Sequence, residues 1–371
     1  MAVGRRVASG PARRAGQRTA LIASTAVAVL GGLLTGCSAP ASSTAPTAGS
    51  APQAGNTKTI TVGANPSGVA ITPSGRHVYV TNYNSGTVSV INTASDAVTA
   101  TVAVGDMPER VAITPDGHQA WVANNGSNTV SVIDTTSNTV IDTIGGLMVP
   151  RDVAFTPDGR RAYVPDFGSN RVSVIDTVSR GTVATIPVGQ APGGVVLAPD
   201  GRRAYVLSNS DPGKVSVVDT ARNKVTATVP VVGGPLGVVV ARDGNLAYSA
   251  DAAGTVSVID VRRNRVTASI PDSQQPNGVA MAPDARHVYV ADASGAVTVI
   301  DTASHKVVGT INAEGTLKSL VLTPDGRRAY ATDFGANSVS VIDTAPWEQP
   351  RRPSAAAPRH ATGCCSSRQS S

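Results

Sequence analysis

One phrase limits what this chain can fold into more than any other feature. Residues Gly68–Thr93 read GVAITPSGRHVYVTNYNSGTVSVINT. The phrase returns as RVAITPDGHQAWVANNGSNTVSVIDT at Arg110–Thr135 and as DVAFTPDGRRAYVPDFGSNRVSVIDT at Asp152–Thr177. Looser copies open at Gly194, Gly237, Gly278 and Ser319. The valine that begins the V-S-V-I run falls at Val88, Val130, Val172, Val215, Val256, Val297 and Val339, a period of 41 to 43 residues. The aromatic before it keeps step at Tyr79, Trp121, Tyr163, Tyr205, Tyr248, Tyr289 and Tyr330. A fixed period of this length means one supersecondary unit stacked on copies of itself.

Each unit contains four runs rich in Val, Ile, Thr and Tyr, the composition of β-strands. In copy two they begin at Arg110, His118, Thr129 and Thr139. T-P-D-G (Thr114–Gly117) joins the first run to the second, with proline presetting φ and glycine taking the positive φ that closes a hairpin. I-D-T-x-x-N (Ile133–Asn138) joins the third to the fourth, and no segment reads as an amphipathic helix. Seven units of four antiparallel strands predict an all-β, seven-bladed propeller. The last unit stops at Thr344 without a fourth strand, while the body opens with an orphan one at Lys58–Val62. The orphan is expected to complete the last blade and close the ring.

The two ends are different in kind. Arg5, Arg6, Arg13, Arg14 and Arg18 precede an apolar run, Ala20–Leu34, that ends in Leu34-Thr35-Gly36-Cys37. This looks like a bacterial lipobox, with cleavage before Cys37 and lipid added to it. An ordinary secretory signal with an incidental cysteine is the plainer alternative. The expected divisions are a signal peptide over 1–36, an Ala/Ser/Pro-rich tether over 37–56, the propeller over 57–345 and a disordered tail over 346–371. The expected location is outside the cytoplasm, lipid-anchored to the cell membrane. Cys364 and Cys365 are adjacent, and the repeats hold no cysteine, so neither a disulfide framework nor a thiolate metal site is expected.

The formal charge of +6 misleads. Without the signal and tail arginines, 22 basic residues face 24 acidic ones in the body. That balance argues against nucleic acid as a partner.

Tyr79-Val80-Thr81-Asn82 spells YVTN, and with the TPDG and VSVIDT phrases it resembles the YVTN-repeat β-propellers, including the YncE-like proteins. The resemblance covers residues 58–345 and implies the architecture. Such propellers serve as surface-layer proteins, binding modules and relatives of enzymes, so activity does not follow from the fold.

Comparing the copies sorts scaffold from site. The TPDG and IDT turns share one face and hardly vary. The opposite loops vary, and binding residues are expected there. The aspartates of the IDT turns form a ring that is read as turn capping, not metal binding. His77, His118, His287 and His305 show neither a zinc set nor a haem attachment, so no metal, cofactor or catalytic residue is assigned. At the two positions before V-A, charge gathers in copies two, three and seven as Glu109, Arg110, Arg151, Asp152 and Lys318, with Asn277 in copy six. These residues form either a ligand grip or a self-compensating ion-pair network. Tyr83, Phe167 and Phe334 lie in loops of the same face and offer apolar contact.

The sequence therefore favours a monomeric, non-enzymatic scaffold. It would bind a protein, glycan or anionic small molecule through the variable face, and the membrane through lipid on Cys37. Two alternatives stand beside it. One is a hydrolase resembling lactonase-type propellers, using Glu109, Arg110 and Asp152. The other is a single-stranded DNA-binding protein, against which the sparse aromatics count.

Overall fold

A computed structural model of the chain describes residues 58–210, 212–272 and 275–347. The signal segment, Cys37, the tether and all of the tail beyond Trp347 lie outside them. The strands form seven antiparallel four-stranded sheets. In blade one the strands are Pro66–Ile71, His77–Asn82, Thr87–Asn92 and Ala97–Ala103. The first strands of neighbouring blades pack against one another around the axis.

The core is not central. It is divided into seven apolar layers, each between two adjacent blades. Tyr79, Val88 and Val90 of blade one, for instance, meet Val111, Val122 and Ile133 of blade two. The second and third strands are therefore buried on both sides and do not alternate, whereas the outer strand Ala97–Ala103 is exposed except at Ala100 and Val102. Small β-branched side chains fill most of these thin wedges, and each holds the repeated aromatic, joined by Phe155 in the layer of Trp121 and by Trp347 in that of Tyr289.

That aromatic explains a second repeated letter. The Tyr79 hydroxyl donates to Asn138 Oδ1 of the next blade at 2.7 Å, and Tyr330 donates to Asp96 at 2.9 Å. Asn138 sits in a left-handed turn at φ 54°, a conformation asparagine tolerates. Where the aromatic is Trp121, which has no hydroxyl, the following turn carries Arg180, and that residue pairs with Asp142 at 2.7 Å. Repeated positions compensate one another across the blade gap.

Most of the turn face is internally satisfied. Thr135 donates to the Gly117 carbonyl at 2.7 Å, and Thr177 to that of Gly159 at 2.6 Å, tying each IDT turn to its own TPDG turn. Asp134 accepts the amides of Thr136 and Ser137. Those bonds, that of Ser137 first, hold its carboxyl below the usual range. The ring of turn aspartates caps its own backbone, as expected.

Ring closure follows the expected route. Lys58–Thr61 pairs antiparallel with Ser338–Asp343, with Ile60 opposite Val339. Ile60 then packs with Val78 and Val80 of blade one. Trp347, which the repeat pattern leaves in the tail, is buried in the layer between blades six and seven. Blade seven ends without the usual return turn, and the indole fills that space.

Candidate functional site

Five of the seven first strands enter the ring through the same device. A residue at positive φ (Asn65, Met107, Val149, Ala191 or Gln275) precedes a proline, and a register shift follows in six of the seven blades. A bulge of this kind re-aims the next side chain. The result is a ring of seven residues at the mouth of the central channel: Ser67, Glu109, Arg151, Gly193, Leu236, Asn277 and Lys318. Arg110, Asn209 and Pro235 complete the lining of a cavity of about 80 Å³.

The position after the mouth residue explains why most copies keep glycine. A Cβ on Gly68 would stand 2.7 Å from the Glu109 carbonyl oxygen, and one on Gly278 would stand 2.8 Å from the Ser319 Cα. Neighbouring first strands thus approach backbone to backbone. Thr81 reinforces the contact by accepting from the Gly68 amide at 2.7 Å and donating to the Glu109 carbonyl at 3.0 Å.

The three exceptions have individual partners. Arg110 reaches past blade one and donates to Ser319 Oγ at 3.0 Å. Asp152 Oδ2 accepts the Val195 amide of blade four at 3.1 Å, and Oδ1 accepts the amide of Val153 at 2.8 Å. In that blade the first strand shrinks to Ala154–Phe155. Asp152 keeps some solvent contact by surface area, yet strands surround it on all sides in the narrow channel. Burial raises its pKa, while Arg110 and the two amides pull the other way.

All nine sequence-predicted binding residues are half-buried on this face, and Glu109, Arg110, Arg151, Asn277 and Lys318 share the mouth. Asn277 donates to the Leu317 carbonyl at 2.8 Å. The Arg151 guanidinium stacks over Phe167 at 4.2 Å from the ring centre, and Lys318 lies over Phe334 at 5.3 Å. Tyr83 lies outside the mouth and donates to the Met107 sulfur at 3.4 Å. Among the described residues no ion pair involves Arg110, Arg151 or Lys318, so the compensating network is not what forms. Arg151 Nε is buried with no acceptor.

Sequence reading missed Asp272. It occupies the place where other copies have Val62, Val104, Val188 or Val231, and it meets Asp292, the last residue of the aromatic strand of blade six. Both are buried, at 4% and 0% exposure. Burial, then the Asp272 charge, push Asp292 well above the carboxylate range, with Thr298 donating against that trend. An acidic residue replacing a valine at the end of a fourth strand was the available signal. Among the described residues no group of three or more His, Cys, Asp or Glu could hold a metal.

The family model described as a YNCE-like beta-propeller matches residues 53–177, the orphan strand and the first three copies. The fold is a seven-bladed β-propeller, and over that stretch the chain is similar to the YNCE-like family. A solved chain of the Kuenenia stuttgartiensis hydrazine synthase is similar to it, with a TM-score of 0.71 at 25% identity, covering 76% of this chain and 96% of that one. No curated protein matches this chain.

Proposed function

We propose that this propeller is a non-enzymatic binding scaffold, exported and held to a membrane through lipid on Cys37, that takes a protein partner on its variable face. The observation that carries the reading is the mouth. Three cations free of ion pairs converge on a cavity of about 80 Å³, and one guanidinium nitrogen there lacks an acceptor. Pockets for drug-sized ligands run to about 300–1,000 Å³, so this one fits a single acidic side chain or a small anion. Around it lie Tyr83, Phe167 and Phe334, with Met107 46% and Met148 50% exposed. An arc of aromatic and methionine side chains is a surface suited to protein contact.

The hydrolase reading has less support. Both oxygens of Asp152 accept backbone amides and Arg110 is bound to Ser319, so these groups serve the ring first. Thermal-shift measurements against acidic peptides, sugars, lactones and oligonucleotides test the choice. A ligand at 100 times its Kd stabilises the fold by about 2.7 kcal/mol. Stabilisation by an acidic peptide that vanishes in Arg151→Glu is expected. Stabilisation by a sugar alone, or lactone hydrolysis lost in Asp152→Asn, would sink the proposal.

A further inference from the structure

The near-neutral body conceals a sided distribution of charge. The turn face of blades three to five is crowded with arginines, among them Arg160, Arg202, Arg242, Arg262 and Arg265, all exposed. The side chains of Arg202, Arg242 and Arg262 make no hydrogen bond or ion pair among the described residues. Clefts of about 410, 680 and 400 Å³ open between neighbouring turns there, each walled by arginine. Between Arg160 and Arg180 stands Val178, 88% exposed and the most open large apolar side chain of the described residues. Blades three to five keep the two turn aspartates that blade two has as Asp116 and Asp134, but blade two sets no arginine beside them.

The chain also enters the ring on this face. Lys58, where the closing strand begins, pairs with Asp96 in the IDT-type turn of blade one. Twenty residues separate Cys37 from Lys58, a length that spans at most about 70 Å. Such a link holds the disc near its anchor without fixing which face looks inward. It joins at blades seven and one, across the ring from the arginines. Two attachments on opposite sides of one face would set the disc flat.

We propose that the turn face of blades three to five is a docking surface for an anionic membrane, holding the disc flat with its variable face outward. The idea rests on the reading of Cys37 as the lipid anchor. Lipid phosphates match unpaired guanidinium groups, and Val178 supplies an apolar tip at headgroup depth. Each arginine near an anionic surface multiplies partitioning by roughly fivefold.

The test uses the intact lipid-modified chain in vesicles of phosphatidylcholine alone and of phosphatidylcholine with phosphatidylglycerol. Amide hydrogen exchange is read by mass spectrometry. Exchange should slow in the turns at 198–203, 220–224 and 261–265 with anionic vesicles only, and recover in high salt. Arg202→Glu, Arg242→Glu and Arg262→Glu together should lower the docked fraction by roughly a hundredfold at unchanged Tm. Identical exchange in both vesicle types, or slowing in the loops at 105–109 and 147–151 instead, overturns the docking surface. The anchor is judged separately, by intact mass and by flotation with neutral vesicles. If Cys37 carries no lipid, the unmodified chain is put through the same vesicle comparison. Arginine-dependent slowing there upholds the docking surface, and its absence overturns it.

Discussion

The two faces of the disc are made from the same repeat and treat their polar groups in opposite ways. On the turn face, most of the repeated threonines, aspartates and asparagines find partners within the blade or one blade on, Asn264 Oδ1 and the Tyr205 hydroxyl being exceptions. On the variable face, buried polar atoms without partners accumulate: Asn124 Oδ1, Arg151 Nε, Asp166 Oδ1, Ser208 Oγ, Asn209 Oδ1 and Asp292 Oδ1. Folded proteins pair nearly all such groups, so a cluster of exceptions marks places where water or a ligand completes the set. Stability and recognition are thus separated by geometry. One end of every strand pair builds the ring, and the other is free to change.

The separation can be broken most severely at the closure, which belongs to neither face. Removing residues 58–63 leaves Ser338–Asp343 as an open edge and takes Ile60 from the layer it shares with Val78 and Val80. Loss of a cooperative unfolding transition is expected, seen by calorimetry and circular dichroism. A sharp transition near the wild-type Tm would mean that the ring holds without its clasp. Next in size is Gly68→Val. Its Cβ would meet the Glu109 carbonyl, and overpacking of this kind costs about 1–3 kcal/mol. The cost should appear in denaturant midpoints. A neutral result would show that the mouth strands can part.

Blade six offers a pH test. The Asp292 carboxyl is raised by burial and by Asp272, and its blade-five counterpart Asp251 is pushed up to about 6, by burial. A carboxyl whose folded pKa lies above its unfolded one binds its proton more tightly in the native state. Its contribution to stability is complete below the unfolded pKa, about 3.9, and is lost as pH rises through the folded value. Asp292→Asn, which installs the residue that blades one and two carry as Asn82 and Asn124, should therefore raise Tm at pH 8 and leave it nearly unchanged at pH 4. Parallel Tm profiles for the two proteins would remove the carboxyl pair as the cause.

What the sequence disclosed follows the same division. Period, strand count, turn chemistry and closure were legible because each is repeated, and repetition separates a structural letter from chance. Tyr79 and Asn138 were each visible as repeats, but their bond was not, since it joins successive copies. The mouth was legible as a set of disagreements, and Glu109, Arg151, Asn277 and Lys318 do meet there. Their partners were not legible. Arg110 finds Ser319 across 209 residues, and Arg151 prefers a ring face to a carboxylate. Such choices depend on side-chain reach across the channel, which no spacing along the chain records. Trp347 escaped for a similar reason: its burial comes from packing into the layer between blades six and seven, which the repeat pattern does not record.

The finest test compares one residue from each face. Thr135→Val removes the bond to the Gly117 carbonyl on the turn face, and a typical hydrogen bond contributes about 0.5–1.5 kcal/mol. Arg151→Ala removes a half-buried cation that stacks on Phe167 and pairs with no carboxylate, and surface changes of this type stay within about 0.5 kcal/mol. If the faces differ as argued, the threonine variant loses stability and keeps binding, and the arginine variant keeps stability and loses the acidic peptide. A substantial destabilisation by Arg151→Ala would instead make the cation part of the scaffold. The variable face would then differ from the turn face in sequence alone, and the unpaired Arg151 Nε would no longer argue for a partner.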